Sequence, residues 1–251
     1  MSDILTKGIF GVLFLDNAQA SSAGMLALYV ALACVLPGVI GYLLGSVNAA
    51  VLISKVFYRD DIRRHGSGNA GMTNMMRTYG TGAAIGTLLG DMLKTILSVA
   101  IGALLAAEAG MYIAGMCSVI GHVFPVFFGF KGGKGVASTA ALVLCTEPWA
   151  FAVIMLIFFC IVATTKYLSL GSVMCAMMYP LVLNRIYLLF RHTEGVPFIP
   201  TAVSFILMVL IVAKHKENIQ RLMRGKESKF SFKKSVKTPD DASSGKDGAT
   251  K

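Results

Sequence analysis

The chain has 251 residues, 55% of them hydrophobic and only 14% charged. A water-soluble domain carries about 45–50% apolar and about 25% charged residues, so this composition excludes a single soluble globular domain and points to lipid as the main solvent. The formal net charge of +10 gathers at the C-terminal end, where residues 214–251 hold eleven Lys or Arg against five Asp or Glu; no soluble domain presents that charge, so it suits an anionic lipid surface and excludes nucleic acid as a partner.

The first 23 residues form an N-terminal extension with two open readings. Lys7 precedes the short apolar run Gly8–Leu15, and Ala18-Gln19-Ala20 resembles a signal-peptidase site; a short interfacial helix is the alternative. Seven apolar stretches follow, at about 25–53, 80–107, 110–130, 136–146, 149–164, 168–190 and 197–213. A spanning helix needs roughly 20 apolar residues, and continuous rather than alternating runs exclude a β-barrel. The expected fold is therefore all-α: a polytopic membrane bundle of about seven transmembrane helices, occupying residues 24–227. The first stretch is longer than one span needs. The fourth is short, which leaves a five-span count with re-entrant pieces open. Residues 228–251, rich in Ser, Lys, Asp and Gly, read as a disordered cytoplasmic tail.

Basic residues orient the spans. Arg59, Arg63, Arg64 and Arg77 follow the first stretch, Lys131 and Lys134 the third, Lys166 the fifth, and the tail the seventh. All fall on one side if every stretch spans, and the positive-inside rule makes that side cytoplasmic, with the N-terminus outside. Arg191 and His192 lie on the other side. Gly82, Gly86 and Gly90 repeat at i, i+4 and read as a helix-packing face. Asp91 and Lys94, three residues apart inside an apolar run, read as a buried pair. The five cysteines lie in or beside apolar runs without a C-x-x-C pair, implying neither a metal site nor a disulfide framework.

The basic loops carry the chemistry. Residues 60–77 hold three glycines in six residues, which let backbone amides converge on an anion. Ser67, Asn69, Thr73 and Asn74 supply further neutral donors beside Gly68, and Arg77, one helical turn after Thr73 or Asn74, shares the face of those two if a helix starts there. A tight cytosolic turn is the plain alternative. Residues 129–135 hold four glycines with Lys131 and Lys134; Lys131, Gly132, Gly133 and Lys134 read as a second anion site, or else as an interfacial turn with snorkelling lysines. The spacing is not that of a Walker A loop. His215 and Asn218, leaving the last stretch, share one face if helical. Two anion loops on one face suggest two phosphate-bearing substrates. A transporter of phosphorylated small molecules is the rival class, but its cations belong near the bilayer midplane, often with inverted repeats.

Taken together, G-S-V-N at 45–48, D-I-R-R-H-G-S-G-N-A-G-M-T-N-x-x-R at 61–77, D-x-x-K at 91–94, G-H-V-F-P-V-F-F-G-F-K-G-G-K-G-V-A at 121–137 and H-K-E-N-I-Q-R-L-M-R-G-K-E at 215–227 resemble the bacterial acyl-phosphate-dependent glycerol-3-phosphate acyltransferases. The resemblance spans about residues 25–230. Asn48 stands where that family has proline and Met72 where it has alanine. It implies an enzyme of the bacterial inner membrane, with no cofactor and no metal, that moves a fatty acyl group from acyl phosphate to the 1-hydroxyl of sn-glycerol 3-phosphate, giving lysophosphatidic acid and phosphate. Ser67, Arg77 and Lys134 would hold phosphate groups, and His215 and Asn218 would lie near glycerol 3-phosphate, with His215 a candidate base. The enzyme that makes acyl phosphate is an implied partner. Acyl phosphate is already activated, so no covalent nucleophile is needed, and neither an H-x-x-x-x-D dyad nor a G-x-S-x-G elbow is present.

Overall fold

The computed structural model describes residues 2–15, 23–191 and 196–230, and every regular element among them is helical. The signal-like Ala18-Gln19-Ala20, His192 and tail residues 231–251 lie outside the described residues. The helices are α1 (Ser2–Leu15), α2 (Ala23–Ser46), α3 (Ala49–Tyr58), α4 (Met72–Tyr79), α5 (Thr81–Val123), α6 (Val136–Thr146), α7 (Pro148–Thr165), α8 (Leu168–Ile186), α9 (Phe198–Lys214) and α10 (Lys216–Met223).

The first apolar stretch divides. α2 ends at Ser46 and Asn48 restarts the chain as the N-cap of α3, its side chain accepting from Val51 N at 3.0 Å and donating to Ala70 O at 3.3 Å. Proline at this position has no side-chain amide to do either. The substitution of Asn for the family's proline therefore adds a tie between the α2–α3 break and the loop before α4.

Helix α5 folds back on itself. Ala106 and Ala107 leave helical geometry, Ala107 at φ 47, and the two limbs then run antiparallel. Gly102 lies against Gly110, where a Cβ on either would stand within 2.1 Å of the other's carbonyl, and Thr95 Oγ1 is 3.1 Å from Ser118 Oγ. The second and third apolar stretches are thus the limbs of one hairpin. Gly8 of α1, at φ 72, packs its backbone against the turn at 105–107. Small residues let α2 approach the second limb in the same way: a Cβ on Gly41 would meet Ala114 O at 2.2 Å and one on Gly45 Ser118 O at 2.1 Å. The expected Gly82–Gly86–Gly90 face is corrected in part. Gly90 abuts Ala49 and Gly86 abuts Ile53, while Gly82 faces open space.

Among the described residues four helical stretches are long and apolar enough to cross a membrane, Ala27–Tyr58, Thr81–Phe128, Pro148–Thr165 and Leu168–Phe190, and α9 with α10, bent by 58°, makes a fifth if counted as one span. Helix α6, at 11 residues, is shorter than a hydrocarbon core. Contacts fix the alternation of the bundle. Tyr112, just past the hairpin turn, donates to Glu147 at the α6–α7 junction at 2.8 Å. At the opposite end Ser169, at the start of α8, donates to Glu227 beyond α10 at 2.8 Å. All the basic loops, including Lys166, whose carbonyl accepts from Phe230 N at 2.7 Å, therefore gather at one end.

Candidate active site

The first loop is a built turn. Gly66 and Gly68 take positive φ, 57 and 71, a region that favours glycine. Asn74, 1% exposed, brackets the turn: its amide donates to Ile62 O at 3.2 Å and His65 O at 2.9 Å, and its oxygen accepts from Ser67 N at 3.0 Å. This corrects the expectation that Asn74 offers a donor to phosphate, because both its amide hydrogens are already used by carbonyls. Ser67 and Gly68 are exposed, and Asn69 and Thr73 half-buried. Helix α4 does start at Met72, as Arg77 requires, and Arg77 is exposed one turn after Thr73. No side chain caps α4, and with Asn74 N bound to Gly71 O at 3.1 Å the Met72 and Thr73 amides are the ones that can meet an anion.

The second loop is folded on its own helix end and joins the first by two routes. Gly133 N donates to His122 O at 3.1 Å, and a Cβ on Gly133 would come within 2.9 Å of Ala70 O in the first loop. Arg63, held by both oxygens of Asp61 through Nε at 2.9 and 3.2 Å, reaches across to Phe128 O at 2.6 Å. The Arg63 hydrogen bond holds the Asp61 carboxyl down to about 2. Helix α6 begins directly after Gly135, also without a side-chain cap. Two uncapped helix N-termini thus adjoin the two glycine-rich loops, as a phosphate site requires. Lys131 is exposed at the outer rim.

Lys134 turns inward. Its Nζ donates to Asn218 Oδ1. Asn218 Nδ2 donates to Glu227 Oε1 at 2.6 Å, and Glu227 also accepts from Ser169 Oγ and, on Oε2, from Arg221 Nε, each at 2.8 Å. Burial pushes the Lys134 ammonium down to about 8, against the pull of Glu227 and with the repulsion of Arg221 and Arg77 adding to it. Burial pushes the Glu227 carboxyl up, but the hydrogen bonds from Asn218, Arg221 and Ser169 outweigh it and hold its pKa below the usual value.

His215 stands at the bend between α9 and α10, so the expected continuous helix is interrupted, but both His215 and Asn218 are still buried, at 3% and 7% exposure. Its Nδ1–H donates to Ile211 O at 2.8 Å, which leaves Nε2 as an acceptor. Burial pulls the imidazole down to about 4, opposed by the Ile211 bond and reinforced by the Lys134 charge. His215 is therefore neutral at pH 7.

Two residues escaped the sequence reading. Glu227 ties Asn218, Arg221 and Ser169 together; its signal was Gly225, whose φ of 64 closes α10 and turns the chain back, with Lys226 N donating to Arg221 O at 2.8 Å. His122 completes the Asp91–Lys94 pair. Lys94 Nζ lies 2.9 Å from Asp91 Oδ1 and 3.0 Å from His122 Nδ1.

The family model described as glycerol-3-phosphate acyltransferase matches residues 32–225. The chain belongs to the glycerol-3-phosphate acyltransferase family. It is accordingly an acyltransferase of lipid synthesis, built on several apolar helices. It is 40% identical over 195 residues to a glycerol-3-phosphate acyltransferase of Syntrophomonas wolfei, covering 78% of this chain and 96% of that one. A second, from Thermoanaerobacter pseudethanolicus, is 38% identical over 203 residues, covering 81% and 98%. Its fold is similar to the crystal structure of PlsY (YgiH), an integral membrane glycerol 3-phosphate acyltransferase, in the glycerol 3-phosphate form: TM-score 0.71, 31% identity, 79% of this chain and 96% of that chain. The lysophosphatidic acid form of the same enzyme gives a TM-score of 0.68 at 30% identity, with the same coverage.

Proposed function

We propose that the chain transfers a fatty acyl group from acyl phosphate to the 1-hydroxyl of sn-glycerol 3-phosphate, releasing lysophosphatidic acid and phosphate, at the cytoplasmic face of a bacterial inner membrane. The observation that carries this reading is the meeting of the two glycine-rich loops, Gly133 against Ala70 O and Arg63 on Phe128 O, with Lys134 bound to Asn218 on the helix that His215 opens. Two phosphate-bearing substrates need such a site; a transporter needs its cations at the bilayer midplane instead. The names of the solved relatives supply glycerol 3-phosphate and lysophosphatidic acid as the acceptor and product chemistry.

In this reading the side chains of Ser67, Asn69 and Thr73 with the Met72 and Thr73 amides form one phosphate cradle, which Gly68 shapes, its own N–H being bound to His65 O at 2.9 Å. Lys131, Gly132 and Lys134 with the α6 amides form the other, which Gly133 shapes, its N–H being bound to His122 O. Asn74 and Asn218 shape the site through the groups they hold. Positioning two bound substrates and stabilising the charge that develops on the carbonyl and the departing phosphate supply the rate. His215 Nε2 accepts the hydrogen of the attacking hydroxyl, and its neutral state at pH 7 leaves that acceptor open. The attacking oxygen bonds to the acyl carbon while the anhydride C–O bond to phosphate breaks, and the departing phosphate takes both electrons of that bond. A His215→Ala enzyme with undiminished kcat would remove the general-base role and leave His215 as a binder.

The same reading gives seven passes, with the N-terminus outside and the C-terminus inside. The split of α5 into two limbs and the gathering of every basic loop at one end support it. Residues 1–23 then precede, and 228–251 follow, a catalytic unit of 24–227. The enzyme that makes acyl phosphate is the expected partner, because its product is hydrolytically labile. The test is purified protein given glycerol 3-phosphate and, in turn, acyl phosphate, acyl-CoA and acyl carrier protein as donors. Acylation from acyl phosphate is expected; turnover with acyl-CoA alone contradicts the donor assignment, and vesicle uptake of unchanged glycerol 3-phosphate contradicts the reaction.

A further inference from the structure

The Asp91–Lys94–His122 cluster lies outside the roles assigned above, yet it occupies the floor beneath both loops. Its three side chains are 2%, 7% and 3% exposed. An ionic group so buried in an apolar bundle is costly to keep and is usually functional. An ammonium has three hydrogens and no acceptor, and Lys94 Nζ has three acceptors around it: Asp91 Oδ1 at 2.9 Å, Val47 O at 2.9 Å and His122 Nδ1 at 3.0 Å. Each comes from a different place. Val47 is in the break between α2 and α3, Asp91 is on the first limb of the hairpin, and His122 closes the second limb.

His122 carries this anchorage to the glycine–lysine loop. Its Nδ1 faces the pair, 3.0 Å from Lys94 Nζ and 3.3 Å from Asp91 Oδ1. The Nε2 edge of the ring faces Gly133, where a Cβ would fall 2.1 Å from Nε2 and 2.7 Å from Cε1. The His122 carbonyl also accepts from Gly133 N at 3.1 Å, and a Cβ on Gly132 would strike it at 2.0 Å. Ala70 O, itself bound by Asn48 Nδ2 at 3.3 Å, borders the same space, 2.9 Å from that Cβ position. The imidazole is thus a wedge that, with the first loop, fills the space a Cβ would take, and Gly133 packs against both.

We propose that Lys94, with Asp91 and His122, is a positioning cluster that sets the distance between the two anion loops: the ammonium locks the imidazole, and the imidazole seats Gly132–Gly133 so that Lys134 and the α6 amides meet the substrate phosphate. None of the three touches the reacting atoms. The proposal rests on residues 131–135 binding a substrate phosphate, as read above.

Two variants of the full-length, detergent-purified protein test it, Lys94→Met and His122→Asn. The asparagine keeps an acceptor for Lys94 and vacates only the ring edge against Gly133. Each is expected to raise KM for one of the two phosphate-bearing substrates about tenfold or more while the other stays within about twofold. Amide exchange at Gly132–Gly135 should rise about tenfold or more, with residues 108–118 exchanging as in the wild type. Gly133→Ala should lower kcat/KM at least about fivefold less in the His122→Asn background than in the wild type, because the wedge is gone. A KM for both substrates within about twofold of wild type, or exchange rising equally through both limbs, would show a plain hairpin clamp and overturn the proposal. If Lys94→Met does not fold, His122→Asn alone decides. If the wild type itself does not acylate glycerol 3-phosphate, the site reading fails, while exchange at Gly132–Gly135 still reports whether the cluster seats the loop.

Discussion

Gly68 in the first loop and Gly132–Gly133 in the second are glycines for opposite reasons. At Gly68 the need is conformation. It adopts positive φ, and a Cβ there would find only Arg63 O, at 3.4 Å, whereas Gly66 has both a positive φ and Asn74 Oδ1 at 2.2 Å. In 132–133 the need is room. Neither glycine has a positive φ, yet a Cβ on either would collide with His122. The first loop is held by a side chain, Asn74, and leaves Ser67 exposed; the second is held by the backbone and ring of His122 and sends its lysine inward. A motif rich in glycine therefore says little until it is known whether the backbone or a neighbour demands the missing Cβ.

Substitutions can break or sharpen this contrast. The largest effect is expected for Lys134→Ala, which removes the inward cation of the second loop and should cost about 3–4 kcal/mol in kcat/KM; steady-state kinetics with both substrates reads it. Gly133→Ala should cost about 1–3 kcal/mol through forced displacement of the loop, seen as lower kcat/KM with the thermal midpoint largely kept. The lowered Lys134 pKa of about 8 gives a pH test. As pH rises through that value the free enzyme loses the cation, so kcat/KM should fall by about fivefold from pH 8 to 9 and by about tenfold from 9 to 10, and Lys134→Arg should move that limb upward, since guanidinium stays charged. Gly68→Ala should cost only about 1 kcal/mol of stability, and Gly68→Asn less, because the penalty there is purely conformational; thermal unfolding measures both. If Gly68→Ala proves as damaging to kcat/KM as Gly133→Ala, the distinction between the loops fails.

Much of the site was legible because local spacing sufficed. The i,i+3 spacing of Asp91 and Lys94 announced their ion pair, the helix starting at Met72 placed Arg77, and both loops stood out by glycine and charge. Contacts that cross the chain were not legible. His122 lies 28 residues from Lys94, and they meet only because the hairpin turns at Ala106–Ala107, where neither glycine nor proline marks a break. Glu227 reaches Ser169 across 58 residues. The helix-packing glycines show the same limit. A regular repeat singled out Gly82, which packs against nothing, while Gly41 and Gly45, whose carbonyl neighbours forbid a Cβ, were passed over.

The account stands on both loops belonging to one site at one membrane face. Single cysteines at Ser67 and at Lys131, introduced after replacing Cys34, Cys117, Cys145, Cys160 and Cys175, can be labelled with a membrane-impermeant maleimide from either side of sealed vesicles, with and without glycerol 3-phosphate. Both positions should react from the cytoplasmic side alone, and glycerol 3-phosphate should slow at least one of them. Labelling of one from the outer side, or protection of neither, would contradict it.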